Sequence, residues 1–150
     1  IKKTAEHFKD GSVVLIGKIA VDAEQKVKIL NDVPNVQFLG RKPYAELPAY
    51  CKGFDVALNP FAINELTLAA NPLKVREYLA AGLPVVSTDI PEVRILPDCL
   101  VGMDHDDFIA KIEDAIANPK PREEVSDAIA HESWDAKVDE LRALMTAQMP

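Results

Sequence analysis

Five short apolar runs, separated by segments with helical periodicity, constrain this chain more than any other feature of its sequence. The runs lie at residues 12–16, 35–39, 55–58, 84–87 and 100–102. The first, SVVLI, is apolar on both faces, which favours a parallel strand covered on both sides. Strands that alternate with helices predict βαβ units with right-handed crossovers. We therefore predict an α/β fold with a Rossmann-like parallel sheet flanked by helices.

The segments between the runs predict the helices. They are expected at residues 1–8, 23–30, 44–52, 71–81 and 106–117, with two more after residue 121 that divide near 131–133. Residues 61–70 predict a loop or a short irregular helix. Asn71 is the predicted N-cap of the 71–81 helix, Pro72 its first residue, and Gly82 its end. Ligands of such sheets bind beyond the carboxyl ends of the strands. Those ends are Gly17, Gly40, Asn59–Pro60 and Ser87–Thr88.

The charge distribution disfavours a nucleic-acid partner. The net charge is −7, with +2 in residues 1–75 and −9 in residues 76–150, so no broad basic face is expected. The two cysteines, Cys51 and Cys99, have no CxxC spacing and no nearby His pair, which disfavours zinc and a disulfide framework. No run reaches the roughly 18 apolar residues of a membrane helix. We expect no metal and no other cofactor.

The segment 71–89 carries the residues with the clearest chemical meaning. Lys74 and Glu77 are three residues apart, so they share one face of the predicted helix. Lys74 lies in the first turn, where the N–H groups are unpaired and the helix dipole is positive, which suits a phosphate. Glu77 is an acceptor that could bind ribose hydroxyls. The spacing fits a nucleoside diphosphate, and it also fits an ordinary surface ion pair.

Four segments resemble signatures of the retaining, group-1-like glycosyltransferases with the GT-B fold. The run PLKVREYLAAGLPVVST is similar to the family pattern P-x-K-x-x-E-Y-L-A-A-G-x-P-V-V-S-T. Upstream, VVLIG, NVQFLGRKPYAELPAY and FDVALNPF resemble further segments of the family's C-terminal domain, in the same order. The resemblance covers roughly residues 12–98. It implies the C-terminal half of a GT-B fold, which binds a nucleotide sugar as donor substrate.

The resemblance implies a role for each residue at the start of the 71–81 helix. The helix tip binds the pyrophosphate of the donor, and Glu77 binds its ribose. Lys74 takes the catalytic role of stabilising the leaving group. The predicted residues of the tip are Asn71, Pro72, Leu73 and Lys74.

The resemblance places the nucleobase against the loop after the second strand, at Gly40, Arg41 and Lys42. The two cations there could equally form a solvated turn. Many relatives carry a second glutamate before the helix, but here Ala69 stands at that position. The contacts of the transferred sugar therefore stay open. Candidates are the loop residues Asn64, Glu65 and Thr67, which could equally be ordinary loop polars.

The family's strand order, 3-2-1-4-5-6, implies a central first strand that these residues lack. It also implies an acceptor-binding N-terminal domain. We therefore predict that residues 1–150 are one nucleotide-sugar-binding domain, a fragment of a longer two-domain chain and inactive by itself. The expected partners are a nucleotide sugar and that N-terminal domain, with no nucleic acid. The expected location is the cytoplasm, with attachment to the inner face of the membrane left open.

The predicted function is donor binding in a glycosyltransferase of the hexosyltransferase type that serves polysaccharide biosynthesis. A non-catalytic Rossmann-like module that binds a nucleotide or a protein stays open, and the role of Lys74 and Glu77 discriminates the two. A nucleotide-sugar epimerase would need histidine and carboxylate groups in its cleft, and the sequence offers no convincing set. A dinucleotide dehydrogenase is disfavoured because no GxGxxG follows a strand.

Overall fold

The computed structural model of the protein describes residues 1–147, apart from the side chain of Asp22. In that part of the chain the five predicted strands are confirmed, with boundaries shifted by one or two residues. They are β1 (Val13–Ile16), β2 (Val36–Gly40), β3 (Ala57–Asn59), β4 (Val85–Thr88) and β5 (Cys99–Gly102). All pairings are parallel, with order β1-β2 in one sheet and β3-β4-β5 in the other. The predicted α/β class with parallel strands is therefore confirmed.

Helices connect and flank these strands. They are α1 (Lys2–His7), α2 (Glu24–Val27), α3 (Leu47–Cys51), α4 (Glu65–Leu68), α5 (Leu73–Ala80), α6 (His105–Ala117), α7 (Arg122–Ala128) and α8 (Trp134–Ala147). The helix predicted at 23–30 is interrupted, because α2 is flanked by 3₁₀ turns at Val21–Ala23 and Lys28–Leu30. Within residues 1–147, no helix is both long and apolar enough to cross a membrane.

The chain divides into two compact units, Ile1–Tyr50 and Cys51–Pro150. The β1-β2 sheet belongs to the first unit and the β3-β4-β5 sheet to the second. Within the first unit the order β1-β2 matches the neighbours 2 and 3 of the implied order, and within the second unit the order β3-β4-β5 matches the neighbours 4, 5 and 6. That residues 1–150 form one domain of a longer chain stays a prediction.

The first unit has a small apolar core. Its buried members are Ala5, Val13, Leu30, Val33 and Val36. The side-chain amide of Asn35 donates hydrogen bonds to carbonyl oxygens at the end of α1 and in the turn before β1, at distances of 2.8 to 3.1 Å. The last three side chains of β1 are only half-buried, so this strand is less covered than its apolar sequence predicts.

The second unit has a larger core around β4. Its buried members are Cys51, Ala57, Val75, Leu79, Leu83, Val85, Ile90, Val93, Leu96, Val125 and Ile129. Val75 and Leu79 are one turn apart on α5, so one face of that helix is fixed against the core. The Arg122 guanidinium of α7 donates to the carbonyl oxygens of Cys51 and Phe54 at 3.1 and 2.5 Å.

Gly82 ends α5, as its sequence predicts. It has a φ of +75°, its N–H donates to the Leu79 carbonyl, and the Leu83 N–H donates to the Tyr78 carbonyl. This pair of bonds is a Schellman motif. A Cβ added at Gly82 would lie 2.6 Å from both the Cβ and the carbonyl oxygen of Arg122. Backbone conformation and close packing against α7 therefore both require glycine here.

We expect Gly82→Ala to lower the free energy of unfolding by about 3 kcal/mol, because left-handed backbone strain and overpacking add together. Gly40→Ala is the matched control, since its φ is +65° and the space for its Cβ is open. That variant should lose only about 1–2 kcal/mol. Urea unfolding of both variants measures the difference. Equal losses would show that the contact with α7 is unimportant.

Candidate functional site

A pocket lies at the carboxyl ends of β1 and β2 in the first unit. It has a volume of about 290 Å³ and is lined by Gly17, Lys18, Ile19, Phe38, Gly40 and Arg41. The Gly17 N–H donates to the Gly40 carbonyl at 2.9 Å, which joins the two strand ends. Neither glycine would bring a Cβ within 4 Å of other atoms, so both leave open space. The pocket combines apolar walls with two cationic side chains.

Two of the three predicted nucleobase residues, Gly40 and Arg41, line this pocket. Lys42 is not among the lining residues, and its ammonium lies 5.8 Å from the centre of the Tyr50 ring. Lys18, Ile19 and Phe38 also line the pocket, and none of the three was predicted. The available signal was Gly17, which ends β1 at the edge where Gly40 ends β2.

The start of α5 differs from its prediction. Asn71 is not the N-cap, because its side-chain oxygen accepts a hydrogen bond from the Arg76 guanidinium. The cap residue is Pro72, which is buried and extended, and the first helical residue is Leu73, whose side chain is exposed. No side-chain hydrogen bond to this cap is present in the described part of the chain. The positive end of the helix dipole therefore lacks a side-chain acceptor at its cap.

Lys74 lies in this first turn, half-buried against an aromatic ring. Its Nζ is 4.2 Å from the centre of the Phe61 ring, a cation–π distance. The Thr88 hydroxyl donates to the Phe61 carbonyl at 2.8 Å, which ties the residue to the end of β4. Burial lowers the pKa of Lys74 from its ordinary value. The ammonium is thus partly desolvated at a helix end that is already positive.

Glu77 lies one turn further along α5 and is half-buried. Both Lys74 and Glu77 lie within α5, three residues apart. Arg76, between these two residues in the sequence, is not an exposed surface residue: its side chain is 14% exposed and contacts two carboxylates. Its Nε is 3.0 Å from Glu132 Oε2, and its Nη2 is 3.4 Å from Glu92 Oε2. The partners lie far along the chain, so the local sequence did not reveal them.

The loop before α5 uses two of the three candidate sugar-contacting side chains to cap α4. The Asn64 side chain accepts from the Thr67 N–H at 3.0 Å, and the Thr67 hydroxyl accepts from the Asn64 N–H at 2.9 Å. The Thr67 hydroxyl also donates to the Ala62 carbonyl at 2.6 Å. This capping box supports their interpretation as ordinary loop polars. Glu65, in the first turn of α4, is exposed.

A family model described as glycosyl transferases group 1 matches residues 1–118 of this chain. The chain belongs to the group 1 glycosyltransferases. It is also 33% identical over 91 residues to a protein of Bacillus subtilis (strain 168) that carries the name "Putative teichuronic acid biosynthesis glycosyltransferase TuaH". The match covers 61% of this chain and 23% of TuaH, so the chain spans only part of that relative's length.

In this member of the group 1 family, every predicted site residue lies inside the matched range 1–118. Glu132, which contacts Arg76, lies beyond it. The thiol of Cys99 is half-buried, and burial raises its pKa to about 11, which makes it a poor nucleophile at neutral pH. Among residues 1–147, with the Asp22 side chain left aside, no three His, Cys, Asp or Glu side chains gather as they would around a metal ion. The expectation that this protein needs no metal stays a prediction.

We expect Phe61→Ala to raise the pKa of Lys74 towards its ordinary value, because removing the ring exposes the ammonium to water. The pH dependence of the Lys74 Cε signal, followed by ¹³C NMR, measures this shift. Phe54→Ala is the matched control, because Phe54 packs against the same core and should leave the Lys74 pKa unchanged. A fall in the Lys74 pKa in Phe61→Ala would show that cation–π attraction outweighs desolvation.

Proposed function

We propose that this protein binds a nucleoside diphosphate sugar and transfers its sugar to an acceptor. The first turn of α5 binds the diphosphate, and Glu77 binds the ribose. Membership of the group 1 glycosyltransferases supports glycosyl transfer as the reaction class. The observation that carries the assignment to α5 is the half-buried ammonium of Lys74 in a helix turn without a side-chain cap.

The electrostatics of this turn support an anionic ligand. A cation in the first turn of a helix is unfavourable, because the dipole there is already positive. The partial burial of the ammonium adds a desolvation cost. A bound diphosphate removes both costs, since it supplies negative charge to Lys74 and acceptors to the backbone N–H groups.

The same arrangement explains how the turn would accelerate transfer. When the bond between the sugar and the diphosphate breaks, negative charge builds on the diphosphate oxygen that leaves. Lys74 and the N–H groups of the turn stabilise that charge more strongly than the charge of the intact donor. Lys74 is therefore the proposed catalytic residue. We assign no general base to these residues.

The donor sugar and the setting are proposed from the family and from one relative. We propose a hexosyl donor. TuaH is named for teichuronic acid biosynthesis, and we extend the broader setting of polysaccharide biosynthesis to this chain. An acceptor-binding N-terminal domain, a cytoplasmic location and the absence of a nucleic-acid partner stay predictions.

The pocket at the ends of β1 and β2 is the proposed position of a nucleobase, with Gly40 and Arg41 among its contacts. Phe38 offers an aromatic surface to a base, and the backbone at the two glycines allows close approach. Lys42 lies outside the lining residues, so we expect Lys42→Ala to bind nucleosides as the unchanged protein does.

The test is a titration of the purified protein with UDP, GDP, ADP and CDP and with the four matching nucleosides, followed by backbone amide NMR. We define the diphosphate increment as the Kd of a nucleoside divided by the Kd of its diphosphate. Lys74→Ala should lower this increment roughly 10- to 100-fold, the loss expected for a charged hydrogen bond of about 1.5–3 kcal/mol. Glu77→Gln should weaken the binding of the nucleoside and of the diphosphate by the same factor, because both ligands carry the ribose.

Lys52→Ala and Glu123→Gln are the matched controls, since each removes the same charge from an exposed position of the second unit. Both should keep the affinities of the unchanged protein. A non-catalytic module that binds proteins is favoured if no diphosphate shifts the backbone amide signals of residues 71–77. It is also favoured if Lys74→Ala and Glu77→Gln bind the ligands with the affinities of their control variants.

A further inference from the structure

Arg76 is a charged residue in a mostly buried position, and it contacts three segments of the second unit. Its Nη1 donates to the Asn71 side-chain oxygen, its Nε to Glu132 at 3.0 Å and its Nη2 to Glu92 at 3.4 Å. A buried guanidinium is tolerated only where such partners satisfy it. The side chain is therefore held in one orientation, with each contact made by a different donor nitrogen.

The contact with Asn71 determines the chemistry of the α5 turn. Asn71 immediately precedes the cap residue, and its amide oxygen would otherwise be the natural acceptor for the first N–H groups. Because that oxygen accepts a hydrogen bond from Arg76, the Asn71 side chain does not cap the helix. The guanidinium thus fixes the approach to α5 and leaves its first turn without the acceptor that would compete with an anion.

The contact with Glu132 fixes Arg76 in turn. Glu132 belongs to a 3₁₀ turn at Ala130–Glu132, and its other carboxylate oxygen lies 3.1 Å from Lys137 Nζ. Hydrogen bonds from Arg76 and Lys137 hold the pKa of Glu132 below its usual range, so the carboxylate is ionised at neutral pH. The C-terminal segment therefore supplies a carboxylate, that of Glu132, which pairs with the Arg76 guanidinium and holds it in place.

We propose that Arg76 is a positioning residue for the diphosphate-binding turn, and that Glu132 anchors it. Both act through Asn71 and the backbone of the turn, and neither touches the ligand. This inference rests on the proposed function of α5. It extends the donor site to a residue outside the range 1–118 that the family model matches.

The test compares the diphosphate increment of the purified protein with that of Arg76→Gln and Glu132→Ala. The ligands are whichever of UDP, GDP, ADP and CDP binds with the lowest Kd, and the nucleoside that matches it. We expect the increment to fall about tenfold in Arg76→Gln and about threefold in Glu132→Ala, with nucleoside affinity within about twofold of the unchanged protein. Glu132→Ala keeps the test valid if Arg76→Gln fails to fold. Arg94→Gln is the matched control, because Arg94 pairs with Asp89 at an exposed position, and it should change neither affinity.

Each outcome decides the inference. A selective loss of the increment in the two variants supports it. An unchanged increment, or an equal weakening of nucleoside and diphosphate, overturns it and reduces Arg76 to a structural residue, while the proposed function stands. If the unchanged protein itself shows no diphosphate increment, the proposed function fails and this inference fails with it.

Discussion

The ammonium of Lys74 occupies a position that the free protein stabilises poorly, and the account of function depends on it. The first turn of α5 is the positive end of the helix dipole, and its cap residue, Pro72, has no side-chain hydrogen bond. Burial lowers the pKa of this ammonium, which lies 4.2 Å from the centre of the Phe61 ring. An anion bound at this turn would pair with the ammonium, interact favourably with the helix dipole and accept hydrogen bonds from the N–H groups. A neutral ligand could do only the last of these.

The packing of α5 holds this turn in place. At one end, Gly82 closes the helix in a Schellman motif and lies directly against Arg122 of α7. In between, Val75 and Leu79 are fully buried against the β3-β4-β5 sheet and its surroundings. Near the other end, Arg76 reaches carboxylates from two distant turns. The helix is thus fixed on its buried face and at both ends, while Lys74 and Glu77 stay half-exposed.

The sequence predicted what depends on neighbouring residues. The five apolar runs predicted the five strands, and Gly82 predicted the end of α5, because burial and a left-handed backbone leave local signals. The N-cap at Asn71 was wrong, since Arg76 takes its side-chain oxygen with support from Glu92 and Glu132, up to 56 residues away. The contributions of Phe38 and Ile19 to the pocket were missed for the same reason, because the parallel pairing that creates the pocket joins residues far apart in the chain.

The most direct test of the account is the pKa of Lys74 with and without ligand, read from its Cε signal by ¹³C NMR. A saturating nucleoside diphosphate should raise this pKa above its value in the free protein, because a nearby anion favours the charged ammonium. The matching nucleoside, which carries no phosphate, should leave it unmoved. A Lys74 pKa that does not change while the diphosphate is bound would contradict the assignment of α5 as the diphosphate-binding element.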